Sequence, residues 1–122
     1  CLLNIFSPAN YAEFRRVLKE DGIIIKVVPG RNHLSELRHA MRAHIRSEEY
    51  SNRDVVAYFS AHFTLIDQLH GTKTLPLRKE QASDLFRMTP LLFGVDESVV
   101  DRCEIDQITI DAELLIGKVP LP

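Results

Sequence analysis

The chain has 122 residues, 45% hydrophobic and 26% charged, enough for one small domain or for part of a larger one. Its two cysteines, Cys1 and Cys103, give neither a zinc cluster nor a disulfide framework, and no apolar stretch approaches the length of a membrane span. The net charge of −2 does not by itself argue for nucleic acid, although residues 94–122 hold seven acids against Arg102 and Lys118 while the other 93 residues carry 13 basic and 10 acidic groups. With no signal-peptide pattern, a reducing, cytoplasmic setting is the simplest expectation.

The chain opens on Cys1 rather than Met, and residues 2–6 already read as a buried strand, which suggests a piece of a longer protein. Ser7-Pro8 ends that strand and reads as a helix start, Ser7 capping and Pro8 in the first turn. Tyr11, Phe14 and Leu18 recur at helical spacing until Asp21-Gly22. Residues 23–28 are a continuous β-branched run around Lys26, suited to a parallel strand covered on both faces. Strand, helix and strand in this order predict a right-handed crossover. Pro29-Gly30 breaks the second strand, and the spacing predicts a helix from about Arg31, with Leu34, Leu37, Met41 and Ile45 as its apolar stripe.

Residues 52–61 read as a further short helix, with Val55, Val56 and Phe59 apolar. Residues 63–69 alternate as a half-buried strand that the stretch to Leu77 extends or pairs with. Residues 80–88 read as a helix with Ala82, Leu85 and Phe86 inward, stopped by Thr89-Pro90. A short helix over 96–103 and a last strand over 105–116 follow, the latter with Ile108, Ile110, Ala112 and Leu114 on one face. The fold class is therefore α/β, parallel at the start and closed by an antiparallel edge. Four strands are few for a doubly wound sheet, which favours a truncated domain or one completed by a partner.

The most distinctive segment is Val27-Val28-Pro29-Gly30-Arg31-Asn32-His33-Leu34-Ser35-Glu36-Leu37. It sets Pro-Gly at the carboxyl end of a parallel strand, where open α/β sheets bind ligands, and Gly30 permits a close backbone approach or a positive φ. The same residues would also serve simply as a strand-to-helix turn. Ser7-Pro8 holds the equivalent place after the first strand, so two strand ends would line one rim. Arg38, Arg42 and Arg46 recur every four residues, with Arg31 and His39 nearby on the wheel; the stripe suits a phosphate backbone or a solvated face balanced by Glu48 and Glu49. His33 and Glu36 could form a general-base pair. The five histidines show no metal-ligand spacing, and no metal is expected.

Taken together, Ser7-Pro8, the run Glu13-Phe14-x-Arg16-Val17-Leu18-Lys19-x-Asp21-Gly22, the block Val27-Val28-Pro29-Gly30-x-x-His33-Leu34-x-Glu36-Leu37 and the later Ala82-x-x-Leu85-x-x-Met88-Thr89-Pro90 resemble the class I methyltransferases that modify guanine N1 in 23S rRNA. The resemblance implies the carboxyl-terminal half of a Rossmann-like domain, strands four to seven with the seventh antiparallel. The zinc module and the cofactor-loop half would lie outside residues 1–122. It implies S-adenosyl-L-methionine as cofactor, contacted by Asn4, Phe6, Ser7 and Pro8. The guanine pocket would involve Pro29, Gly30, Arg31, His33 and the Met88-Thr89-Pro90 turn, and Arg38, Arg42 and Arg46 would face the RNA backbone. The 38–46 helix and the terminal Ile116-Gly117-Lys118-Val119 depart from the family pattern.

The implied chemistry is an in-line displacement in which guanine N1 takes the sulfonium methyl, with His33 or Glu36 helping to remove the proton. The parent protein would act on 23S rRNA without a membrane, and this chain alone is expected to be inactive. Two other expectations stand beside it: half of a small-molecule methyltransferase, or a non-catalytic folded fragment that pairs its first-strand edge with a second copy.

Overall fold

The computed structural model describes residues 1–45 and 52–121. In chain order the elements are β1 (Leu2–Ile5), α1 (Tyr11–Val17), β2 (Ile23–Pro29), α2 (Ser35–Ala40), α3 (Arg53–His62), β3 (Thr64–Pro76), α4 (Lys79–Met88), a 3-10 turn (Pro90–Leu92), α5 (Glu97–Asp101) and β4 (Gln107–Lys118). The four strands form one mixed sheet in the order β1-β2-β4-β3. β1 and β2 are parallel, with Ile5 opposite Val27, and β4 runs antiparallel to β2, with Pro29 opposite Ala112. The expectation of an α/β sheet with an antiparallel last strand holds. Its position does not: β4 lies inside the sheet, and β3, exposed along nearly its whole length, is the edge.

The chain divides into two compact units. The first comprises the described residues of 1–31, 50–71 and 111–122. Five β-branched residues in seven make β2 a natural strand, and its buried positions alternate as Ile24, Lys26 and Val28. Against it packs an aromatic core of Tyr11, Phe59 and Phe63 with Ile24 and Leu115. Phe59 and Phe63 lie 5.4 Å apart between ring centroids, and Tyr11 meets Phe63 edge-on at 5.4 Å. Gly117 admits this packing, because a Cβ there would fall 2.7 Å from Phe59 Cζ.

Helix α1 starts later than the sequence suggests. Asn10 is its cap, the Oδ1 accepting from the Glu13 N–H at 3.2 Å, while Ser7 Oγ accepts from Asn4 Nδ2 at 2.8 Å instead. Ser7 is thus held by the strand it follows rather than by the helix it precedes.

The second unit comprises the described residues of 32–49 and 72–110. Leu37, Met41, Ala82, Phe86, Leu92 and Ile108 form its core. Ala82 and Phe86 are one helical turn apart on α4, as expected for its inward face. Helix α2 is only six residues long: Leu34 has a left-handed φ of 53°, so the turn at 31–34 cannot run into it, and the helix ends at Ala40. Arg42 therefore sits in a turn rather than on a helical stripe with Arg38, and Arg46 lies outside the described residues. The expected single apolar face of the last strand also fails. Its buried positions are Ile108, then Asp111, Leu115 and Gly117, so the alternation changes phase where the second unit gives way to the first, each unit burying its own face.

Candidate functional site

The carboxyl ends of β1 and β2 lie side by side in the first unit, joined by the Phe6 N–H donating to the Val27 carbonyl at 3.0 Å. This rim carries Asn4, Phe6, Ser7 and Pro8 after one strand and Pro29, Gly30 and Arg31 after the other, as the parallel pairing predicts. Asn4 is buried and fully engaged: Nδ2 donates to Ser7 Oγ at 2.8 Å and to the Pro8 carbonyl at 3.1 Å, and Oδ1 accepts from Lys26 Nζ at 2.6 Å. Its role is to fix the loop. Within that loop Phe6 adopts a left-handed φ of 47° and is 48% exposed, with Ser7 and Pro8 exposed beside it.

Lys26, which the sequence offered only as an interruption of an apolar run, lies beneath this loop at 6% exposure. Its ammonium also stands 5.9 Å from the centre of the Tyr11 ring, and burial pushes it below the ordinary lysine range. At the end of β2, Asn52 Nδ2 donates to the Pro29 carbonyl at 3.0 Å. The Gly30 N–H donates to the Asp111 carbonyl at 2.8 Å, and a Cβ at Gly30 would fall 2.5 Å from Asp111 Cγ. Gly30 thus supplies a close approach, to a carboxylate. That carboxylate is itself buried and takes a hydrogen bond from His70 Nε2. Neither His70 nor Asp111 carried a motif, since 41 residues separate them; only the pairing of β3 with β4 reveals them.

The remaining sequence-predicted residues belong to the second unit. His33 stands half-buried in the turn before Leu34, whose N–H donates to the Thr109 carbonyl at 2.9 Å. Glu36 is anchored to the same residue: the Thr109 N–H and hydroxyl donate to its two oxygens at 2.8 and 2.7 Å, and Ser35 Oγ adds a bond at 3.3 Å. Burial raises the Glu36 pKa, but the bonds from Thr109, the backbone and Ser35 outweigh it and hold the carboxyl below its usual range. Arg42 Nη1 lies 3.0 Å from His39 Nε2. Around the other predicted turn Thr89 is buried, while Met88 is 71% exposed and Pro90 exposed. A cavity of about 680 Å³ in this unit, lined among others by Ala82, Phe86, Val100, Cys103 and Ile105, includes none of the predicted site residues.

Among the described residues no helix is long and apolar enough to cross a membrane, and no group of three His, Cys, Asp or Glu is arranged to hold a metal ion.

No family model matches the chain. It is, however, 36% identical over 119 residues to "Putative 23S rRNA (guanine-N(1)-)-methyltransferase YxjB" of Bacillus subtilis, an alignment covering 95% of this chain and 42% of that protein. It is 26% identical over 125 residues to the "23S rRNA (guanine(748)-N(1))-methyltransferase" of Streptomyces fradiae, covering 98% and 44%. A crystal structure from Bacillus halodurans, titled as that of a "putative methyltransferase", superposes with a TM-score of 0.48 at 14% identity, covering 91% of this chain and 57% of that one. The chain spans less than half the length of the curated relatives it matches. Over 78–98% of its own length, the chain is similar to curated proteins named as 23S rRNA (guanine-N1)-methyltransferases.

Proposed function

We propose that the protein containing this chain is an S-adenosyl-L-methionine-dependent methyltransferase that modifies guanine N1 in 23S rRNA, and that residues 1–122 are a carboxyl-terminal portion of its methyltransferase domain. The observation that carries this reading is the 36% identity to the Bacillus subtilis protein across 119 residues. The Pro29-Gly30-x-x-His33-Leu34-x-Glu36-Leu37 block supports it, because Gly30 serves a tight packing need at a strand end where α/β sheets bind ligands.

The β1 loop suits part of a cofactor site. A half-exposed aromatic ring and an adjacent exposed serine, set on a backbone fixed from below, offer stacking and hydrogen bonding to a ligand with an apolar body and polar edges. Phe6, Ser7 and Pro8 would hold the group, and Asn4 would act through them, its own polar atoms being spent on Lys26, Ser7 and Pro8. The bound cofactor supplies an activated methyl group. Pro29, Gly30 and Arg31, and in the second unit His33 with the Met88-Thr89-Pro90 turn, are assigned to guanine, and Arg38, Arg42 and Arg46 to RNA phosphates. Glu36, with both oxygens committed to Thr109, anchors the segment that carries His33, which leaves proton removal from guanine N1 to a histidine.

The test is mass spectrometry of 23S rRNA after incubation with the intact gene product and labelled cofactor. Methyl label on guanine N1 is expected; label on another position, or none, refutes the reading. The 122-residue chain alone, less than half the length of its relatives, is expected to transfer no methyl group in the same assay.

A further inference from the structure

Asp111 is 1% exposed and faces Gly30 at the end of β2, where the absence of a Cβ gives its carboxylate room. Its Oδ1 is held by His70 Nε2, whose side chain is 53% exposed against 2% for that of Asp111. An ionised carboxylate only accepts, so the shared proton belongs to Nε2, and in the neutral ring Nδ1 is the nitrogen with an open lone pair. A buried carboxylate that fixes one ring nitrogen and faces the imidazolium is the arrangement by which a histidine is set up as a general base. The pair adjoins the carboxyl end of β2, where the Gly30 N–H donates to the Asp111 carbonyl at 2.8 Å.

We propose that His70 is the residue that accepts the guanine N1 proton, with Asp111 as its positioning residue; this rests on the methyltransferase reading above. The step balances. Guanine N1 forms its bond to the methyl carbon, the carbon–sulfur bond breaks with its electron pair remaining on sulfur, and the N1 proton passes to His70 Nδ1. The resulting imidazolium is stabilised by the Asp111 carboxylate beside it. Gly30 is part of the device, because any larger residue there displaces the carboxylate.

The experiment uses the intact gene product, with His70→Ala, His33→Ala and Asp111→Asn variants. In His70→Ala, kcat should fall about 100-fold while KM for the RNA changes by less than about threefold, and free imidazole should restore part of the rate. His33→Ala should act mainly on KM. Proton–nitrogen NMR of the wild-type protein should show the His70 ring protonated at Nε2, a readout independent of turnover, and Asp111→Asn should disturb that tautomer. A His70→Ala enzyme with kcat within about threefold of wild type, or a ring protonated at Nδ1, would falsify the proposal while leaving methyl transfer intact. A wild-type protein that does not methylate guanine N1 removes the underlying reading, and the proposal with it.

Discussion

Glu36 and Thr109 are tied by two hydrogen bonds across 73 residues of sequence, from the Thr109 N–H to Oε1 at 2.8 Å and from its hydroxyl to Oε2 at 2.7 Å. The pair welds the start of α2 to β4 within the second unit. Glu36→Ala leaves the Thr109 amide and hydroxyl without acceptors, and the expected loss is about 1–3 kcal/mol in denaturant unfolding. The pH dependence has a definite sign. A carboxyl held below its unfolded pKa stabilises fully above the unfolded value and loses that contribution as pH falls through the folded one. Wild type should therefore lose stability on acidification more steeply than Glu36→Gln; parallel curves would refute the assignment.

Lys26 runs the other way. Burial lowers its pKa, so in the window between the folded value and the ordinary lysine value of 10.5 the unfolded chain binds more protons and stability rises with pH. Lys26→Met should abolish that alkaline rise, measured as the unfolding midpoint against pH. It also removes the 2.6 Å bond that orients Asn4 and, through it, Ser7 and Pro8. Cofactor affinity of the intact protein should weaken as well, read by calorimetric titration. A variant with an unchanged pH slope and unchanged affinity refutes the role given to Lys26.

Met88 is 71% exposed at a turn whose neighbour Thr89 is buried, so its side chain contributes little to the second unit's core. Met88→Ala should change stability by less than about 0.5 kcal/mol. If the turn contacts guanine as proposed, affinity for 23S rRNA should nonetheless fall about fivefold, the equivalent of one buried apolar contact. Unchanged affinity in a filter-binding or anisotropy titration would remove Met88 from the guanine pocket.

Local pattern carried much of this fold. The β-branched run of β2, the Ala82–Phe86 spacing of α4 and the strand-helix-strand opening are each decided by neighbouring residues, and each is found where the spacing predicts. Side-chain spacing overextends the helix after Gly30, because nothing in the pattern announces the left-handed Leu34 that delays its start. A single period misplaces the buried face of β4, because the strand serves two cores with opposite phase. For the site, the Pro29-Gly30 turn and the loop after β1 were legible as strand ends. Lys26, His70 and Asp111 were not: a lysine in an apolar run and an acid on a strand take their meaning from partners that only the sheet pairing supplies.

Gly30 joins stability to the site and gives the sharpest substitution. A Cβ there meets Asp111 Cγ at 2.5 Å, so the buried carboxylate has to swing away from its place, and Gly30→Ala should cost about 1–3 kcal/mol. The strain has one named source, which a double-mutant cycle isolates. Asp111→Ala removes the obstructing carboxylate, so the cost of Gly30→Ala in that background should shrink to a fraction of its value in wild type. Additive costs in chemical denaturation would show that Gly30 is required for its backbone and not for the room it leaves. In the intact enzyme the two effects separate again: Gly30→Ala should lower kcat by displacing Asp111 from His70, and the double variant should regain stability without regaining rate.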